Sequence, residues 1–78
     1  MPRGINNWTY NDITSFLKDH GFVLHHIRGS HYYFSGYKNN RSRIVTVPYH
    51  GNQAIRPRTM SGIILQSGID KKEWLDNK

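Results

Sequence analysis

HYYFSGYKNNRSRIVTVP, residues 31–48, reads as two strands and the turn that joins them. His31 to Tyr37 is rich in aromatic rings and Arg43 to Val47 in β-branched side chains, and both compositions suit a pleated, half-buried surface. Between them, Lys38-Asn39-Asn40-Arg41 makes a polar hairpin tip, because asparagine tolerates the positive φ of a tight turn. Pro48 has no N–H for the ladder and stops the third strand. Strand alternation puts Tyr32 and Phe34 on one face and His31, Tyr33 and Ser35 on the other. It also turns Val45 and Val47 inward, with Ile44 and Thr46 facing away.

Working outward, Phe22 to Arg28 (FVLHHIR) reads as a further strand, and Gly29-Ser30 as the turn that returns it to His31. The result is a three-stranded antiparallel meander. In its first strand Phe22 and Leu24 favour one register, Val23 and Ile27 the other. Before the meander, Tyr10, Ile13, Phe16 and Leu17 form an apolar stripe, so a helix is expected from about Thr9 to His20. Thr9 and Asp12 make a capping box with a shorter acid, and Gly21 is its left-handed close. After the meander, Pro57 suits a first helical turn, Met60, Ile63 and Ile64 give the stripe, and Gly68 caps it. Asp70 and Glu73 resemble another capping box, with Ile69 and Trp74 at the staple positions of a short last helix.

The expected fold is therefore α+β, ordered α-β-β-β-α plus a C-terminal helical turn. Both helices cover one face of the sheet, because neither stripe is buried otherwise. Residues 1–8 have no periodicity and are expected to form a flexible N-terminal arm, with residues 9–78 as a single domain.

Seventy-eight residues leave room for one core only, and a chain this short buries roughly 60% of its unfolded surface. With no cysteine, neither disulfides nor thiolate metal sites are available. No stretch has the length and apolarity of a signal peptide or a membrane span, so a cytoplasmic protein is expected. Eleven Lys and Arg oppose five Asp and Glu, a net charge of +6 that attracts polyanions. Nucleic acid and an acidic protein surface both fit such a field; the aromatic content of 13% favours nucleic acid where rings are exposed.

Chemistry concentrates at Arg28-Gly29-Ser30-His31. Glycine has no Cβ, so backbone N–H groups there can approach a phosphate closely. Ser30 adds a hydroxyl and Arg28 a guanidinium. An unperturbed imidazole titrates near about 6.5, close to working pH, which suits His31 to proton transfer. The plainer reading is a hairpin turn followed by a surface strand histidine. His50 is a candidate for a second proton-transfer group or for a loop cap. Tyr33 offers a ring, and Arg41 and Arg43, one strand period apart, are candidates to grip phosphates. His25 and His26, being adjacent, are expected on opposite faces, which disfavours a metal site; no metal and no cofactor are expected.

The order of elements, with Arg28-Gly29-Ser30-His31 ("RGSH") before the second strand and Val45 to Gly51 ("VTVPYHG") closing the third, resembles the HicA (YcfA-like) toxins. Leu65-Gln66-Ser67-Gly68-Ile69, at the end of the second helix, adds to the match, which runs from about Tyr10 to Leu75. The resemblance implies a double-stranded-RNA-binding-domain-like fold and mRNA interferase activity. It implies a type II toxin–antitoxin module with a HicB-type antitoxin as partner, and His31 as the catalytic residue. Such an enzyme cuts RNA without a metal, because the substrate's own 2′-OH attacks the adjacent phosphate. The alternative is a non-catalytic RNA-binding module of the same fold, using its basic side chains and Tyr33 for shape-based contact.

Overall fold

A computed structural model describes residues 7–76. Helix α1 spans Tyr10–Asp19, strands β1, β2 and β3 span Val23–Arg28, His31–Lys38 and Arg41–Pro48, and helices α2 and α3 span Pro57–Ser67 and Lys71–Asp76. The strands form one antiparallel sheet in the order β1-β2-β3. This is the α-β-β-β-α order expected from the sequence, with α3 as the C-terminal addition.

Local chemistry sets the helix ends. The Thr9 N–H donates to the Asp12 carboxylate at 3.0 Å and the Asp12 N–H to Thr9 Oγ1 at 3.3 Å, so the shorter acid does complete the box. At the other end Gly21 takes φ +87°, its N–H reaches the Lys18 carbonyl, and the Phe22 N–H reaches the Leu17 carbonyl. That pair of bonds satisfies carbonyls the helix leaves free and turns the chain into the sheet. At α3 the box does not form as read: the Glu73 carboxylate meets His20 Nε2 at 3.4 Å, tying α3 to the end of α1. Ile69 and Trp74, at the staple positions, are both buried in the core.

The hairpin tip is a two-residue turn, Lys38 pairing with Arg41, with φ +55° at Asn39 and +63° at Asn40. Positive φ at both central residues matches the natural twist of a hairpin, which explains the asparagine pair. The tip is also latched. Asn39 Nδ2 donates to the Gly68 carbonyl at 3.1 Å, and Arg43 Nε donates to the Lys38 carbonyl at 3.2 Å.

Phe34, Val45 and Val47 supply the sheet's share of the core. Ile13, Phe16 and Leu17 come from α1, and Met60, Ile63 and Ile64 from α2. Gly36 lies on the same face, and a Cβ there would sit 2.6 Å from the Phe22 ring. A rigid ring cannot yield that space, so Gly36→Ala is expected to destabilise by about 1–3 kcal/mol. A thermal melt with the wild-type midpoint would contradict this.

Two features depart from the sequence reading. Trp8, grouped with the N-terminal arm, is buried: it packs against Phe16 (ring centroids 5.9 Å apart) and Trp74 (5.4 Å). The Trp8 carbonyl accepts from the Ile55 N–H at 2.7 Å, which holds this segment against the loop before α2. A large aromatic side chain needs no helical periodicity to find a core. Residues 1–6 of the expected arm lie outside the described residues. The second departure is in β1. Leu24 pairs with Phe34 and Ile27 with Tyr32, while His25 and His26 stand together opposite Tyr33 as a bulge. One extra residue shifts the phase, so Phe22, Leu24 and Ile27 all face the helix side. The two competing registers are reconciled, with His26 beside Tyr33 on the other face and His25 as the extra residue of the irregularity.

Candidate functional site

The face of the sheet turned away from the helices is uncovered, and register orders it into rows. Arg28, His31 and Pro48 form the row at the turn end; His26, Tyr33 and Thr46 form the next; Val23, Ser35 and Ile44 follow. Arg28 and His31 are direct cross-strand partners joined by the two residues Gly29 and Ser30. Gly29 takes φ +59° while Ser30 stays negative, the sign pattern of a turn that needs glycine first. The turn thus sets an exposed guanidinium beside an exposed imidazole. The His26 and Tyr33 rings, centroids 5.8 Å apart, lie in the row behind.

The loop after β3 closes onto this turn. The Tyr49 N–H donates to the Ser30 carbonyl at 2.8 Å, so the backbone carrying His50 is pinned beside the Gly29–Ser30 bend. Pro48, the partner of His31, also lines a pocket of about 160 Å³ with His50, Gln53, Arg56 and Thr59. Here α2 begins. Arg56 is its N-cap without a side-chain capping bond, Pro57 follows, and no acid sits in the first turn. The positive end of the helix dipole therefore adds to the charge of Arg56.

Of the residues singled out from sequence, Arg28, Gly29, Ser30, His31 and His50 come together at one end of the sheet, with Tyr33 one row away. Arg41 and Arg43 do not join them. They share a face, as their spacing requires, but Arg41 pairs with Lys38 at the far end of β2. Lys38 lies seven positions beyond His31, about 23 Å of strand. Arg43 folds over Gly68, where a Cβ would meet its guanidinium carbon at 2.6 Å. Its visible work is to hold the hairpin tip against α2.

Sequence reasoning missed Gln53 and Thr59, and it missed the cluster of Tyr10, Tyr32 and Tyr49 behind the turn. The signal for the pocket was present in Arg56-Pro57, a helix start with no acid after it. Among the described residues no three His, Cys, Asp or Glu side chains converge to hold a metal ion. No described helix is long and apolar enough to cross a membrane. The arrangement offers a proton-transfer group, nearby cations and an open face onto which a polyanion can lie.

Comparison with known proteins adds one finding. The family model described as HicA toxin of bacterial toxin-antitoxin matches residues 10–69, which takes in α1, the whole sheet and α2. No curated protein and no solved structure matches the chain. The matched segment contains the turn, the open row and the loop of His50, and through it the chain belongs to the HicA toxin family of bacterial toxin–antitoxin systems.

Proposed function

We propose that this toxin is an endoribonuclease that cleaves mRNA in the cytoplasm, and that a HicB-type antitoxin neutralises it by covering the turn end of the sheet. One observation carries the reading: a glycine turn delivers an exposed His31 beside Arg28 on a sheet face that no helix covers. In the proposed reaction the 2′-oxygen forms a bond to the adjacent phosphorus and the bond from phosphorus to the 5′-oxygen breaks. A base takes the 2′ proton and an acid protonates the departing 5′-oxygen. His31 performs one of these transfers, and His50 is the candidate for the other. Arg28 and the N–H groups of the Gly29–Ser30 turn face the phosphate charge.

The test is incubation of the purified protein with a defined transcript, once in EDTA and once with magnesium. Shortened RNA in both supports the reading. RNA that is bound but stays full length in both supports instead a non-catalytic binding module. Substitution at the cation gives a second measure. Arg28→Gln is expected to weaken binding to a single-stranded oligonucleotide and to flatten the slope of log affinity against log salt by about 0.7, one phosphate contact's worth. An unchanged slope removes Arg28 from the phosphate path.

A further inference from the structure

The three tyrosines behind the turn carry an inference that rests on the ribonuclease reading and deepens it. Tyr10 at the start of α1, Tyr32 in β2 and Tyr49 just past β3 meet ring to ring. Their centroids are 5.1 Å apart for Tyr10–Tyr32, 5.0 Å for Tyr10–Tyr49 and 5.8 Å for Tyr32–Tyr49. Tyr10 and Tyr32 are partly buried against the core. The Tyr10 phenol is pushed up from its usual range, first by burial and then by the neighbouring Tyr32 and Tyr49.

Tyr49 is different, because 47% of it remains exposed. A half-exposed ring on a loop ordinarily samples several rotamers. Here the Tyr10 ring meets it at 86° and the Tyr32 ring at 48°, and its own N–H is held by the Ser30 carbonyl. The ring is therefore oriented before any ligand arrives, and it belongs to the backbone that borders His31. A flat aromatic surface offers little to a phosphate and much to a nucleobase.

We propose that Tyr49 is a stacking platform for one nucleobase of single-stranded RNA, fixing the nucleotide next to the phosphodiester that faces His31. Tyr32 and His31 are on opposite faces of the sheet, so the strand turns around the sheet's end, phosphate toward His31 and base toward Tyr49. Duplex RNA is excluded from this role, since its bases are already stacked and paired. Every base has a π-face, so the platform sets position and not sequence preference.

The test uses 2′-O-methyl heptanucleotides, which cannot be cut through their own 2′-oxygen, each with a single abasic position moved along the chain. Binding is read by fluorescence anisotropy with wild type and with Tyr49→Leu. The leucine variant is expected to bind the intact oligonucleotide about 5- to 150-fold more weakly. One abasic position is expected to weaken wild type by a similar factor and to cost the leucine variant nothing more. A purely structural tyrosine does not give that non-additivity, and equal abasic losses in both proteins overturn the proposal. Should the leucine variant not fold, a wild-type scan in which no abasic position weakens binding overturns it as well. If wild type binds none of these oligonucleotides, the ribonuclease reading falls too; if wild type binds and Tyr49→Leu binds as tightly, the platform alone falls.

Discussion

His31→Ala is expected to slow RNA cleavage by about 10²- to 10⁴-fold, the usual contribution of a well-placed acid or base. The same substitution should leave the fold intact. His31 is exposed at the first position of β2, so truncation opens no cavity, and surface changes of this kind stay within about 0.5 kcal/mol. Growth arrest on expression should disappear with the cleavage, while the thermal midpoint stays at the wild-type value. Cleavage at the wild-type rate by His31→Ala would remove the imidazole from the chemistry. Under the proposed function the substitution separates chemistry from binding, because it leaves Arg28, the proposed phosphate contact, in place.

The largest expected loss of stability lies outside the segment shared with the family. Trp74→Ala should cost about 3–5 kcal/mol, the range for deleting a buried aromatic side chain. At about 0.05–0.15 kcal/mol per residue a chain of this length has only about 4–12 kcal/mol in total. Trp74 is wholly buried, with its ring centroid 3.9 Å from that of Phe16 and 5.4 Å from that of Trp8. Trp8 and Trp74 flank the family segment on its two sides and close the core beside Phe16, on α1. A chain cut to residues 10–69 is therefore expected to lose its cooperative melt. Trp74→Phe should be milder than Trp74→Ala, because it keeps a ring and removes an indole N–H that has no acceptor among the described residues. Circular dichroism melts of the three proteins check this. A trimmed chain that melts like the full one would show the two tryptophans to be dispensable.

Much of the site could be read from adjacent residues. Arg28, Gly29, Ser30 and His31 follow one another, and a two-residue turn makes its flanking residues partners whatever packs around them. Arg41 and Arg43, also candidates to grip phosphates, lie away from this turn. A spacing of two places them on a common face, but it says nothing about which end of the sheet they occupy or that Gly68 would receive the Arg43 guanidinium. Tyr49 likewise gained its meaning from Tyr10 and Tyr32, residues 39 and 17 positions earlier in the chain.

The amino-acid sequence by itself determined the elements, their order and the ends of the first two helices, because the forces that set them act over three or four residues. Thr9 with Asp12, Gly21, Asn39-Asn40 and the alternation of Tyr32 to Phe34 each needed only their neighbours. Tertiary structure alone decided the bulge at His25 and His26, the burial of Trp8, the place of Arg43, and the loop that brings His50 and Tyr49 to the turn. Those features depend on which distant surfaces compete for the same core and the same sheet end, and packing settles that competition only when the whole chain is in place.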